Sequence, residues 1–103
     1  MTDTDLLSYR DLFIESAEEH VQKINSELTN SSARKEVIDE IYRRIHSLKG
    51  SSSIMGFSEI SQLCTKAGDL LQDREKESTR DDNLKIVQEI VNNIQQKIEE
   101  IKK

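Results

Sequence analysis

Apolar residues recur three and four positions apart along most of the chain, which is the spacing of one buried face on an α-helix. The clearest case is the C-terminal segment, whose apolar positions are Leu84, Val87, Val91, Ile94, Ile98 and Ile101. This alternation resembles a heptad seam, and Ile90 widens it. No segment shows the period of two that indicates a β-strand. The pattern therefore predicts an all-α protein.

The N-terminal half is predicted to contain two long helices. The first is expected to start near Asp3 to Asp5, where acidic side chains suit the positive helix N-terminus. Its apolar stripe consists of Leu6, Phe13, Ala17, Val21, Ile24 and Leu28. The segment Asn30-Ser31-Ser32 is the predicted linker and offers an N-cap to a second helix over about Ala33 to Ile54. The stripe of that helix consists of Ile38, Ile41, Ile45, Leu48, Ser52 and Met55.

Two further helices are predicted after the turn Met55-Gly56-Phe57. Ser58 is the expected N-cap of the third helix, whose apolar side consists of Ile60, Leu63, Cys64, Ala67 and Leu71, with Leu70 close by. The end of the polar segment Glu75 to Asp82 is interpreted as the third connection, with Asp81 or Asp82 capping the fourth helix. Short connections between four such helices favour an up-down-up-down four-helix bundle with crossing angles of roughly 20°.

Composition narrows the class of protein. The chain has 103 residues, of which 34% are hydrophobic and 34% charged, so we expect one domain over residues 1–103 with one core. A net charge of -5 without a basic block argues against a nucleic-acid partner. The single cysteine fits a reducing compartment. Because the sequence contains neither a signal peptide nor a run of about 18 apolar residues, we expect a cytoplasmic protein without membrane contact.

The second helix presents the candidate chemistry. His46 follows Ile45 and lies about 100° further round the helix, on the flank of the buried stripe. Its ring is a good nucleophile near neutral pH, because the ordinary pKa of an imidazole is about 6.5. A phosphoryl group on the ring would carry about two negative charges, which Lys49 is placed to stabilise. Gly50 and Ser53, on the same side of the helix, leave room for a partner's active site.

A plain surface histidine beside an incidental lysine is the competing interpretation, and on His46 and Lys49 alone it is the more frequent case. Gly50 argues against it, because a glycine inside a helix costs roughly 1 kcal/mol relative to alanine and needs a reason. The run Ser51 to Ser53 argues in the same direction, since it adds little bulk beside the imidazole.

Three other residues receive structural interpretations. His20 is expected at the surface or the core boundary, since no second metal ligand accompanies it at helical spacing. Cys64 faces the core stripe and is expected to be an inert buried thiol. Ile54 falls on the polar side of its helix. We expect it to pack on the turn at Phe57, the alternative being an apolar contact with a partner.

The segment His46-Ser47-Leu48-Lys49-Gly50-Ser51-Ser52 resembles the His-x-x-Lys-Gly phosphorylation motif of histidine phosphotransfer (HPt) domains. Phe57 matches the Gly-Phe or Gly-Leu that opens the next helix in that family. The segment Phe13 to His20 resembles the start of the phosphotransfer domain found at the N-terminus of the chemotaxis histidine kinase CheA. The resemblance implies a four-helix bundle in which His46 is phosphorylated, Lys49 is the phosphate partner and Gly50 gives access.

One position departs from the family pattern. Family members commonly carry Glu or Gln where this chain has Gly68, and that side chain hydrogen-bonds the imidazole. The CheA branch often has His where this chain has Thr65. Gln72, one turn further on, or Thr65 through a water, is the candidate replacement that would fix the tautomer and orientation of the ring.

Three functions follow as alternatives. In the first, His46 accepts a phosphoryl group from the ATP-binding domain of a histidine kinase and passes it to an aspartate of a receiver domain, as in two-component signalling. The sequence lacks a Gly-rich nucleotide loop, so the chain is interpreted as a covalent carrier. ATP and Mg²⁺ are then expected on the partner kinase, with no cofactor or metal held by this chain. Whether this carrier counts as part of an enzyme depends on the rest of its native protein.

The second function is the dimerising hairpin of a sensor kinase, which is disfavoured because Ser47 follows His46 and proline is absent. The third is a structural bundle that pairs through the heptad of the last helix. The first alternative predicts a monomer. The CheA-like start of the chain and Met1 favour a fragment from the front of a chemotaxis-type kinase. The Gly-Ser-Ser after Lys49 leaves open a freestanding HPt protein of a multistep phosphorelay.

Overall fold

The computed structural model describes residues 3–30, 35–72 and 77–103, with side chains for 9–29, 35–72 and 82–103. These residues form four α-helices: α1 (Asp3–Asn30), α2 (Lys35–Met55), α3 (Ser58–Gln72) and α4 (Glu77–Lys102). α1 and α3 lie at opposite corners, and each packs against both α2 and α4. The bundle measures 51 × 22 × 20 Å along its principal axes. The predicted all-α, up-down-up-down four-helix bundle is confirmed.

The predicted stripes meet in one core. The positions buried as predicted are Phe13, Ala17, Val21, Ile24, Ile38, Ile41, Ile45, Leu48, Ile60, Cys64, Ala67, Leu71, Val87, Ile90, Val91, Ile94 and Ile98. Ile14 is buried with them and was not predicted. Ser52 is buried in the same stripe, and its hydroxyl donates a hydrogen bond of 3.0 Å to the carbonyl of Lys49. A polar group is thus satisfied within its own helix. Leu6 lies outside the residues whose side chains are described.

The turn between α2 and α3 forms where Met55-Gly56-Phe57 predicted it. Gly56 has a φ of 81°, a left-handed conformation that favours glycine. The amide of Gly56 donates to the carbonyl of Ser53 (3.2 Å) and that of Phe57 to the carbonyl of Ser52 (2.9 Å). These two bonds are the Schellman pattern that ends a helix. Phe57 then packs on Phe13 of α1, with ring centroids 5.0 Å apart.

Two predicted helix starts are wrong. The carbonyl of Phe57 accepts the amide of Ser61 (3.1 Å), so Phe57 and not Ser58 takes the cap position of α3. Asp81 and Asp82 do not cap α4, because that helix already starts at Glu77. The segment before Asp82 contains neither glycine nor proline, and acidic residues near a helix N-terminus are favoured by the helix dipole. Asn30, the first residue of the predicted linker, is instead the last residue of α1, while Ser31, Ser32 and the predicted start of α2 at Ala33 lie outside the described residues.

A polar contact joins α1 to α2 at the edge of the core. A guanidinium nitrogen of Arg44 lies 3.3 Å from Nδ1 of the half-buried His20, and Arg44 also pairs with Glu40 at 3.4 Å. Burial, and next the positive charge of Arg44, lower the pKa of His20 below its ordinary value of 6.5, and Lys23 adds to this. Glu19 acts in the opposite direction. His20 is therefore a boundary residue that favours the neutral ring.

The burial of Ile45, which is 1% exposed, generates a stability prediction. Ile45→Ala is expected to lower the free energy of unfolding by about 2–5 kcal/mol, because it leaves a cavity in a packed core. Urea denaturation measures the loss. Arg43→Ala, an exposed change on the same helix, is the control and should stay within about 0.5 kcal/mol of wild type. A loss below about 0.5 kcal/mol for Ile45→Ala would show that the stripe is misassigned.

The pKa of His20 generates a prediction about pH. Since its folded-state pKa is lowered, the unfolded chain binds more protons as the pH falls below about 6.5, and the folded state loses stability there. The stability contributed by the neutral ring of His20 is fully present above about pH 6.5 and is lost as the pH falls through the folded-state pKa. Denaturation of wild type and His20→Gln at about pH 7.5 and about pH 5.5 tests this, because glutamine does not titrate. Equal losses in both proteins would contradict the role of His20.

Candidate functional site

His46 lies on the exposed side of α2, at the mouth of a groove between α2 and α3. The groove has a volume of about 240 Å³, and its lining includes Tyr42, His46, Lys49, Thr65, Gly68 and Gln72. Burial of the α2 stripe places His46 at this groove. Because Ile45 points into the core, the next residue emerges at the edge of the core. The sequence-predicted histidine and lysine thus share one groove, and both side chains reach solvent.

Gly50 stands in open surface one turn after His46. A Cβ added at Gly50 would meet no atom within 4 Å, so packing within the described part of the chain does not require glycine here. Glycine makes α2 less stable than alanine would at this exposed position, although alanine would fit. Access for a partner is the reason predicted for glycine at this position, and the role of Gly50 stays a prediction.

Ser53 and Ile54 differ in how the structure uses them. The hydroxyls of Ser53 and Ser61 lie 2.7 Å apart, so Ser53 links α2 to α3 as well as leaving the surface low. Ile54 is 87% exposed, and the expectation that it packs on the turn at Phe57 is wrong. Phe57 turns to Phe13 of α1 instead.

His46, Gly50 and Ile54 follow one another at intervals of four residues. Such positions lie along one ridge of a helix. The ridge formed by these three residues therefore joins an exposed imidazole, an open backbone position and an exposed apolar side chain. The spacing was visible in the sequence, whereas the full exposure of Ile54 was not.

The candidates for orienting the imidazole contact other groups. The side-chain amide of Gln72 donates a 2.8 Å hydrogen bond to the hydroxyl of Tyr42, and the hydroxyl of Thr65 donates to the carbonyl of Ser61 at 3.0 Å. Within the described residues, no side chain hydrogen-bonds the ring of His46. The ring of Tyr42 stacks on it instead, with centroids 6.1 Å apart and planes inclined by 19°.

The sequence patterns assigned no role to Tyr42, which lies one turn before His46. The signal was the spacing of four residues between two aromatic rings on one helix, which brings them side by side. Gly68, the remaining candidate, is buried opposite Tyr42 and supplies no side chain.

Cys64 lies at the base of the groove and is buried, as predicted. Burial raises the pKa of its thiol to about 12, and the charge of Lys49 only partly opposes this. A thiol held in its protonated form is a poor nucleophile, which agrees with the inert thiol predicted at Cys64. Among the described residues, no three His, Cys, Asp or Glu side chains are grouped to hold a metal ion. None of the described helices combines the length and apolar character needed to cross a membrane.

Comparison with known proteins identifies relatives of the chain. A family model described as Hpt domain matches residues 8–103. The chemotaxis protein CheA of Halobacterium salinarum is 38% identical over 68 residues, which cover 63% of this chain and 10% of that protein. CheA of Listeria monocytogenes is 39% identical over 56 residues, covering 52% of this chain and 9% of the relative. For CheA of Bacillus subtilis the identity is 32% over 62 residues, covering 57% and 9%.

The matched segment is thus about a tenth of the length of each of these curated relatives. No solved structure matches the chain significantly.

Proposed function

Because the chain belongs to the Hpt domain family, we propose that it carries a phosphoryl group on His46 in a two-component phosphorelay. The observation that supports this most strongly is the exposed imidazole within the His-x-x-Lys-Gly segment. Lys49 lines the same groove, and the backbone at Gly50 is unobstructed. The thiol of Cys64 lines the same groove but is buried, so it does not compete with the imidazole for a phosphoryl group.

In the proposed first step, the lone pair of Nε2, the ring nitrogen farther from the backbone, attacks the γ-phosphorus of ATP on a kinase's ATP-binding domain. The bond from that phosphorus to the bridging oxygen breaks, and ADP leaves with its electron pair. The proton on Nδ1 passes to solvent as the ring returns to neutrality. His46 is then a phosphoimidazole, and this chain has supplied only the nucleophile and its surroundings.

In the second step, a carboxylate oxygen of a receiver-domain aspartate attacks the same phosphorus. A proton from solvent returns to Nδ1, the N–P bond breaks with its electron pair going to Nε2, and His46 is left as the neutral imidazole. Lys49 supports both steps, because its ammonium is a compact positive charge at the edge of the groove, where the phosphoryl oxygens would lie. ATP and Mg²⁺ belong to the partner kinase in this proposal.

The ridge of His46, Gly50 and Ile54 is the proposed docking surface for both partners. The partner must bring its own reacting group to within about 3–3.5 Å of Nε2, which requires the surface beside the ring to be low. Gly50 meets this requirement. Ile54, being 87% exposed, offers an apolar contact two turns from the reacting nitrogen.

A CheA-type chemotaxis kinase is the context that the comparisons favour, because the three relatives described above are chemotaxis proteins named CheA. The proposal places the domain in the cytoplasm, as a monomer when isolated. A freestanding HPt protein of a multistep phosphorelay would use the same groove and the same ridge. The two contexts differ in whether the kinase's ATP-binding domain lies on the same chain.

The two histidines of the chain allow a direct test of the site. Incubation with phosphoramidate, a small phosphoryl donor that needs no docked kinase, is expected to add one acid-labile phosphoryl group to wild type, detected by intact mass. His46→Gln should abolish this labelling and His20→Gln should retain it. Lys49→Ala should slow labelling roughly 10-fold through loss of charge stabilisation, with Lys66→Ala as the exposed control. Labelling that persists in His46→Gln would overturn the assignment.

Gly50 provides a test of docking. Gly50→Ala and Gly50→Leu both raise helix propensity, so neither should destabilise the fold. We expect the alanine variant to transfer phosphate to a receiver domain of the source organism at close to the wild-type rate, because its methyl group meets nothing. The leucine variant should accept phosphate from phosphoramidate and fail to pass it on. Normal transfer by Gly50→Leu would show that the partner does not approach over this position.

A further inference from the structure

We propose that Tyr42 positions the imidazole of His46, that Gln72 holds Tyr42 in place, and that Gly68 leaves the space which the tyrosine ring occupies. This inference rests on the proposed phosphorylation of His46. It assigns the orientation of the nucleophile to ring stacking across the α2–α3 groove. The three residues form one connected assembly, called the Tyr42 support below.

The stacked pair is the first element of the argument. The ring centroids of Tyr42 and His46 lie 6.1 Å apart and the planes are inclined by 19°, within the range of offset-stacked aromatic pairs. Tyr42 is half-buried and packs against the hydrophobic core, whereas His46 is exposed. The tyrosine ring is therefore the better-fixed member, and the imidazole rests on it.

The second element is the anchor on the neighbouring helix. Gln72 of α3 donates a 2.8 Å hydrogen bond to the hydroxyl of Tyr42. The ring of Tyr42 is thus attached to α2 through its backbone and to α3 through its hydroxyl. A side chain fixed at both ends has lost most of its rotamer freedom before any partner arrives.

The third element is the space at Gly68. A Cβ built on Gly68 would lie 3.7 Å from Cε2 of Tyr42, which is ordinary van der Waals contact. Alanine would therefore fit beneath the ring, and a longer side chain would have to displace it. Gly68 is buried, so the tyrosine ring covers the floor of the groove at this point.

Stacking suits a nucleophile that must present one nitrogen to a partner. It places the tyrosine ring beside the imidazole, whose side chain stays exposed to solvent. It also restricts rotation about the side-chain bonds of His46, so less orientational entropy is lost when the phosphorus approaches. Since no described side chain hydrogen-bonds this ring, the stack is the contact that orients it.

Nuclear magnetic resonance tests the positioning without any reaction. In wild type, the ring current of Tyr42 should displace the two carbon-bound imidazole proton resonances of His46 from those of an exposed histidine. Tyr42→Leu should return them toward the exposed position, and Tyr42→Phe should keep most of the displacement. Gln72→Leu should reduce it by loosening the tyrosine, whereas Gln62→Leu, an exposed change on the same helix, should not. The resonances of His20 serve as the internal reference.

The rate of labelling by phosphoramidate gives the functional readout. We expect Tyr42→Leu to slow it roughly 10-fold, the lower end of what an orienting partner of a reactive histidine contributes, and Tyr42→Phe to restore most of the rate. Gly68→Leu should resemble Tyr42→Leu, and the exposed Gln62→Leu should label at the wild-type rate. Urea denaturation of every variant separates these effects from loss of the fold. If Tyr42→Leu does not fold, the exposed Gln72→Leu variant decides the question.

The outcomes separate the two proposals. Wild-type labelling with unchanged rates in folded Tyr42→Leu and Gln72→Leu would overturn the positioning role and leave the proposed function standing. If Tyr42→Leu returned the His46 resonances to the exposed position without changing the labelling rate, the positioning role would be overturned too. Absence of labelling in wild type would overturn the proposed function, while the resonance shifts would still show whether Tyr42 orients the ring.

Discussion

The burial of one stripe of α2 between its neighbours is the constraint on which the site depends. Ile41, Ile45 and Leu48 are nearly inaccessible to solvent, which fixes the rotation of α2 about its own axis. A helix whose rotation is fixed has every other residue direction fixed as well. His46 therefore emerges beside α3, and the ridge toward Ile54 faces outward. Packing of the core thus sets the direction in which the side chain of His46 leaves the helix.

The turn at Gly56 is the second constraint on the site, because it positions α3 beside α2. By ending α2 with two defined hydrogen bonds, it sets the register in which α3 returns along α2. The link between Ser53 and Ser61 lies close to the turn, and that between Tyr42 and Gln72 lies farther along the same pair of helices. The groove is held at both ends by polar contacts between side chains, and the imidazole lies between them.

The two histidines show how surroundings divide similar residues into different roles. His20 is half-buried against the guanidinium of Arg44, and both burial and that charge favour its neutral form. It contributes to the contact between α1 and α2. His46 has an aromatic face on one side and solvent on the other, with a lysine in the same groove. The first arrangement links two helices, and the second leaves the imidazole accessible to solvent.

The sequence by itself determined the fold class, the four stripes, the turn and the helix that carries His46, because helical periodicity and glycine conformation are local properties. It also brought His46, Lys49 and Gly50 to one side of α2, since that follows from spacing within one helix. It misplaced the start of α4, because polar residues without glycine or proline mark a solvated face as readily as a connection.

Only the tertiary structure decided what each groove residue contacts. Gln72, which with Thr65 was a candidate for orienting the imidazole, holds Tyr42, and Ile54 was expected on Phe57 and instead faces solvent. Both outcomes depend on the relative rotation and register of neighbouring helices and on which ring fills a shared space. Those quantities come from packing between distant segments, and no spacing within a single helix encodes them.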